Sequence, residues 1–126
     1  MHVPDDLLYS TDHEWVKVDG DVARIGVTDY AQDSLGDVVF VDVPKVGTVV
    51  IAGQSFSEVE STKAVSEIYA PVAGEIVEVN ESLGGEPERL NRDPYGEGWL
   101  CAIRMSDTTE LDALMDGDAY RNLTES

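Results

Sequence analysis

Side chains that do chemistry are scarce in this chain. Its 126 residues hold one cysteine, two histidines and three lysines, against 26 aspartates and glutamates. The lone Cys101 excludes an intramolecular disulfide and agrees with a reducing compartment. Eight lysines and arginines leave a net charge of −18 and a pI near 4.1. A surface of that sign repels phosphate backbones, which excludes nucleic acid as a partner. Long apolar runs are missing too. The segments VVF and GTVVIAG fall far short of the roughly 20 residues that cross a bilayer, so no membrane partner is expected. The opening MHVPDDLLYS has two aspartates and no lysine or arginine, unlike a secretory signal or a basic transit peptide, and a cytoplasmic protein is expected. No linker, low-complexity tract or internal repeat divides the chain. We therefore expect one domain over residues 1–126, with a core in 7–105 and a helical C-terminal segment over 107–123.

What is present in excess is acid, scattered along the whole length, with five arginines against three lysines. We read this as adaptation to a salty cytoplasm, where the screening length shrinks to about 3 Å at 1 M salt. A generally acidic protein is the plainer alternative.

Short strands dominate the pattern. HEWVKVDGDVARIGVT reads as two strands around the turn residues Asp19-Gly20. TDYAQDSLGD reads as a short helix, with Thr28 able to cap its start and Gly36 its end. VVFVDVP is a further strand stopped by Pro44. SFSEVES and AVSEIYAP flank Thr62-Lys63 as two alternating runs, and AGEIVEVN and GWLCAIRM complete the strand set. Residues 81–98 read as irregular with one helical turn. The tail DTTELDALMDGDAYRNL reads as helix, with Asp107 and Glu110 spaced as a capping box and Leu111, Leu114 and Met115 on one face. Many short strands with peripheral helices predict a small, mainly β sandwich or barrel.

Few residues qualify for chemistry. His13-Glu14-Trp15 begins an H-E-x-x-H pattern, but Lys17 ends it, so the zinc-protease motif fails. DALMDG mimics part of a calcium loop, yet Leu114 takes a ligand position and Leu123 stands where the bidentate glutamate belongs. No metal site is expected. Cys101 lies in an apolar strand and reads as a buried structural thiol. There is no nucleophile elbow and no glycine-rich phosphate loop. Neighbours such as His13 and Glu14 on one strand point to opposite faces, which argues against a shared proton. No catalytic residue is expected, and an acid/base hydrolase built on that pair is the weaker alternative. Lys63 remains. A solvated surface lysine is the commoner occurrence of such a residue, but at a hairpin tip its amine would project on a stiff support, suited to carrying a swinging cofactor.

Here the sequence resembles a known family. VESTKAVSEIYAPVAGEIVEVNESL resembles the lipoyl-attachment region of the H proteins of the glycine cleavage system. YSTDHEWV, GVTDYAQDSLGDVVFVDVPKVGTVV, NRDPYGEGWL and ELDALMDGDAY are similar to that family's other hallmark segments, in order, so the likeness spans residues 7–121. The HEW and DPYGEGW segments separate it from lipoyl domains of 2-oxoacid dehydrogenases and from biotin carriers. The resemblance implies a flattened barrel-sandwich hybrid of the lipoyl-domain type and a carrier rather than an enzyme. It implies lipoic acid in amide linkage to Lys63. It implies an aminomethyl group received from a pyridoxal-phosphate glycine decarboxylase and passed to a tetrahydrofolate-dependent aminomethyltransferase, with dihydrolipoamide dehydrogenase reoxidising the arm. A lipoate-attachment enzyme is a fourth partner, for which Glu60 would form part of the recognised surface. Glu14 and Glu67 would contact the loaded amine. A relay donating lipoate to other complexes is the alternative role, and a monomer is expected. Against the family pattern, Asp12 stands where a small hydroxyl residue is common and Glu67 replaces a shorter aspartate. Ser57 stands for a frequent glycine and Thr62 for a frequent valine.

Overall fold

A computed structural model describes residues 2–125. Among the described residues nine strands form two antiparallel sheets. The larger contains β1 (Leu8–Tyr9), β2 (Glu14–Asp19), β3 (Val22–Val27), β5 (Val49–Val50), β8 (Gly74–Val79) and β9 (Cys101–Met105), in the spatial order β1-β2-β3-β9-β8-β5. The smaller contains β4 (Val38–Val41), β6 (Ser55–Ser61) and β7 (Val65–Tyr69), ordered β4-β6-β7. Neither sheet closes on itself, and the architecture is the expected mainly-β barrel-sandwich hybrid.

The strand pattern follows the pleat. Val16, Ala23, Ile25, Ile76, Cys101 and Ile103 all turn to one face of the larger sheet and form its core with Val50, Ala70 and Val72. Val41, Val59 and Ile68 of the smaller sheet pack against Val27, Leu35, Leu83, Leu90 and Leu100 in a second cluster, and Phe56 touches both. Burial of the Cys101 thiol pushes its pKa up to about 12, so it stays a protonated core residue, as its strand position implied.

Several local features differ from the sequence reading. The β2–β3 turn is centred on Gly20-Asp21, with Asp19 paired to Val22, because Gly20 supplies the positive φ of 64° at the first turn position. The alternation of β8 is interrupted by a register shift between Ile76 and Glu78. The irregular stretch contains two one-turn helices, α2 (Ser82–Gly85) and α3 (Arg89–Arg92), after α1 (Asp29–Leu35). The tail is not one helix. A 3-10 helix over Thr108–Ala113 gives way to an extended residue, Met115, whose backbone exchanges two 2.8 Å hydrogen bonds with Tyr9 before α4 (Gly117–Glu125) begins. Glu110 leaves the expected capping box and accepts instead from the Ala73 N–H at 2.9 Å, so a loop donor outcompetes the helix end. Leu111 and Leu114 pack on the first core cluster and Met115 on a third, built around Tyr9, Trp15 and Tyr120.

That third cluster fixes what surrounds the site. Trp15 lies across its strand partner Gly26, where an added Cβ would sit 2.6 Å from the indole. Its Nε1–H donates to Pro94 O at 2.9 Å, joining the HEW segment to DPYGEGW. Tyr120 of α4 stacks on Tyr9 with ring centroids 4.6 Å apart.

Candidate functional site

Lys63 stands at the turn between β6 and β7, exposed to solvent. The turn is tied from within: Ser61 N–H donates to Ala64 O at 2.8 Å, and Ser61 Oγ accepts from the N–H groups of Ala64 and Lys63 at 3.1 and 3.3 Å. It is also tied from outside, by Thr62 N–H donating to Asp37 O at 3.0 Å. These bonds hold the backbone while the side chain stays free. That side chain passes over Gly36, the C-cap of α1, where an added Cβ would lie 3.5 Å from the lysine Cε. Gly36 has φ 79° and ψ −156°, a conformation open essentially only to glycine, so the residue that ends α1 also leaves room for the lysine stem.

Beside the turn, a cleft of about 280 Å³ runs between α1 and β7. Val27, Ala31, Leu35 and Ile68 give it apolar walls, and Asp12, His13, Tyr30, Ser34 and Ser66 line it with polar groups. Residues Lys63 to Ile68 span about 16 Å at strand rise, comparable to an extended lysine bearing an eight-carbon acyl chain. The cleft thus begins beside Lys63, at Ala64, and runs along β7 to Ile68.

Helix α1 forms one wall, and both of its ends are pinned. Thr28 caps its start, accepting the Ala31 N–H at 3.2 Å, and Tyr95 Oη accepts the Asp29 N–H at 3.0 Å. At the other end Asn91 donates to Gly36 O at 2.8 Å and to Gln32 Oε1 at 3.0 Å, and accepts from Val38 N–H at 2.9 Å. A seven-residue helix is marginal alone. Here the 91–95 segment holds it in place.

Of the acids named from sequence, neither Glu14 nor Glu67 lines the cleft, whose wall carries Asp12. Glu14 turns inward, 1% exposed, accepting from Ser10 Oγ at 2.6 Å and from Tyr69 N–H at 3.4 Å. Burial pushes its pKa up to about 7, partly countered by those two donors. Glu67 is exposed and accepts from Tyr69 Oη at 3.0 Å. That bond and the Glu67 charge raise the Tyr69 pKa, with smaller contributions from burial and from the charges of Asp12 and Glu14. Tyr69 thus bonds Glu67 through its hydroxyl and Glu14 through its backbone N–H. Glu60 lies elsewhere, on the outer face of the small sheet between Phe40 and Val65, one strand end away from Lys63. His13 is not on a strand: it precedes β2 with φ 68° and turns to Tyr30 and Tyr120, while Glu14 turns to Ser10. The pair diverges, through a left-handed backbone rather than through the pleat.

The buried carboxyl of Glu14 makes stability depend on pH with a defined sign. Its folded pKa is raised, so the folded state holds more protons than the unfolded chain between about 4.5 and 7. Its contribution is most favourable below that window and is lost as pH rises through it. Compared with Glu14→Gln, the wild type is expected to lose about 2–3 kcal/mol from pH 4.5 to pH 8, read as the difference in urea unfolding free energies. Parallel curves for the two proteins would refute the assignment.

Comparisons with known proteins agree with this geometry. The sequence profile of the glycine cleavage H-protein matches residues 7–126. The chain belongs to the glycine cleavage H-protein family. It is 54% identical over 123 residues to a probable glycine cleavage system H protein of Haloarcula marismortui, covering 98% of this chain and 97% of the relative. It is 52% identical over 126 residues to a glycine cleavage system H protein of Thermus thermophilus, covering 100% and 98%. The crystal structure of an H protein from Mycobacterium marinum superposes with a TM-score of 0.90 at 40% identity, covering 98% and 100%. The protein is thus a lipoyl carrier of the glycine cleavage system and not itself a catalyst. It carries lipoate covalently on a lysine and moves glycine-derived intermediates among the decarboxylase, the aminomethyltransferase and dihydrolipoamide dehydrogenase, with a lipoate-attachment enzyme as a further partner. Among the described residues no helix is long and apolar enough to cross a membrane.

Of the residues named from sequence, Glu14 and Glu67 meet at Tyr69, while Lys63 stands at the opposite end of β7 and Glu60 on another face. The sequence reading missed the cleft walls. Tyr30 and Ser34, four apart on the predicted helix, were the available signal, since that spacing puts them on one face.

Proposed function

We propose that Lys63 is the lysine that carries lipoate, and that the cleft between α1 and β7 shelters the arm once it is loaded. The observation that carries this reading is an exposed, rigidly held lysine directly beside a groove that starts at Ala64 and carries the Asp12 carboxylate on its wall. When bound, lipoate supplies the dithiolane that takes up electrons and the one-carbon cargo. The chain does the rest. Val27, Ala31, Leu35 and Ile68 keep water from the cargo. Asp12 offers a carboxylate on the wall, and Glu14 and Glu67 add negative charge behind it, favouring a cargo that bears an ammonium. A ligand ammonium would favour the ionised form of Glu14, whose proton is released to solvent, so sheltering tightens as pH rises through about 7. Glu60, with Phe40 and Val65 on the same outer face, presents a surface to the lipoate-attachment enzyme.

Intact-mass and peptide spectrometry of protein from its native host should show one lipoyl adduct, on Lys63. A homogeneous unmodified Lys63 would end the assignment. In holo-protein loaded from glycine, Ser34→Trp should fill the groove and shorten the lifetime of the cargo toward its free-solution value, measured by formaldehyde release. An unchanged lifetime would show that the cleft does not shelter it.

We further infer a single-domain, monomeric carrier of a salty cytoplasm. The cross-strand pair Glu58–Glu67 sets like charges opposite each other, which costs stability unless screened. Every arginine has a carboxylate partner, and among the described residues no lysine does. The urea midpoint is expected to rise steadily between 0.05 and 2 M sodium chloride, at roughly a few tenths to 1 kcal/mol per repulsion relieved. A flat response would reject the habitat reading.

A further inference from the structure

His13 lines the cleft, yet nothing in the carrier role assigns it a task. Its Nδ1 lies 2.8 Å from Tyr120 Oη, which lies 2.7 Å from Thr28 Oγ1, which in turn accepts the Ala31 N–H. Thr28 is fully buried, and Tyr120 Oη is the one acceptor its hydroxyl proton has among the described residues. The proton order follows. Thr28 donates to Tyr120, Tyr120 donates to His13 Nδ1, and the imidazole proton must sit on Nε2. The reverse order would strand a hydroxyl proton in the core, at the cost of an unmade hydrogen bond.

Nε2 has no hydrogen-bond partner among the described residues. No side-chain nitrogen or oxygen among them is both sealed from solvent and unpaired, so Nε2 is reachable from outside, on the ring edge away from Tyr120. Burial pushes the His13 pKa down, outweighing the opposing charge of Asp12 and favouring the neutral ring. The ring is steadied against Tyr30, with centroids 4.7 Å apart, and the residue holds a left-handed backbone with φ 68° to reach that place. A non-glycine residue there is uncommon and points to function.

We propose that His13 is a positioning residue of the cleft: the relay from Thr28 through Tyr120 holds it as an Nε2–H donor that grips the sulfur end of the lipoyl arm. The proposal rests on the cleft being the shelter of the arm. An N–H donor cannot bind an ammonium, so the cargo amine is left to the carboxylates and His13 takes the acceptor atoms beside it. The terminal helix α4, which brings Tyr120, thereby sets the donor character of the cleft from behind.

Two measurements test this. Long-range nitrogen–proton NMR on uniformly labelled protein, with only two histidines to assign, should show His13 Nδ1 unprotonated and Nε2 protonated. The opposite tautomer would overturn the proposal. In loaded holo-protein, His13→Asn keeps a residue that tolerates the left-handed backbone and an acceptor for Tyr120 but removes the distal donor. The lifetime of the cargo should fall about fivefold, the net worth of one hydrogen bond. His13→Gln, which places an amide N–H near the Nε2 position, should recover much of it. If Ser34→Trp shortens the lifetime while His13→Asn leaves it unchanged, His13 has no such role and the cleft reading survives. If neither variant changes it, both ideas fall.

Discussion

Lys63→Arg should abolish carriage completely while leaving the fold untouched. The guanidinium keeps the charge and nearly the length of the lysine, but its delocalised nitrogens are not acylated under conditions that modify an amine. The backbone of the turn is held by Ser61, Ala64 and Asp37, and none of those bonds uses the lysine side chain. An exposed substitution of this kind changes stability by roughly 0.5 kcal/mol or less. Reconstitution with the decarboxylase, the aminomethyltransferase, the dehydrogenase and the attachment enzyme should therefore give no lipoyl adduct and no turnover, with unchanged circular dichroism and urea midpoint. Full activity in that variant would dismantle the shuttle mechanism.

Gly74→Ala should do the reverse, destroying the fold without touching any site residue. Gly74 opens β8 and pairs with Met105 on β9. A Cβ there would sit 2.0 Å from Arg104 O and 2.8 Å from Ile103 Cγ2. The first obstacle is backbone, which no rotamer change can move. Relief requires β8 and β9 to separate in the middle of the six-stranded sheet, where Ile76 and Ile103 are buried side by side. The expected loss is about 4 kcal/mol or more, a large part of the roughly 5–15 kcal/mol that holds a domain together. Urea or thermal unfolding checks it; a midpoint within error of wild type would mean that the two strands approach less closely at this point. Gly20, by contrast, has nothing within 4 Å of its added Cβ, so a substitution there meets only backbone strain.

The two variants show which parts of the molecule were legible beforehand. Alternation along 55–61 and 65–69, with a turn between, sufficed to place Lys63 at a tip, because a period of two leaves little choice in a short hairpin. Thr28 and Gly36 announced the ends of α1 for the same local reason. The tail was not legible. Asp107 and Glu110 have capping-box spacing, but Ala73, 37 residues away, claims the Glu110 carboxylate, and Tyr9 pairs with Met115 across more than a hundred positions. Such choices belong to tertiary structure. The cleft was hidden for a similar cause: Asp12 in the β1–β2 turn, Tyr30 on α1 and Ser66 on β7 line one cleft only after folding. Glu14 was found as an acid but not as a buried one, since strand alternation alone does not reveal that Ser10 and the Tyr69 N–H would receive it.

Helix α1 is about 10 Å long; its C-cap, Gly36, lies under the lysine stem, and its N-cap, Thr28, bonds Tyr120, the partner of His13. It can act as a gauge. An acetyl group on Lys63 would end near the near rim and leave the polar end empty, whereas an acyl chain of lipoate's length reaches it. Lengthening this helix by one turn would reset which modification the carrier can tuck away.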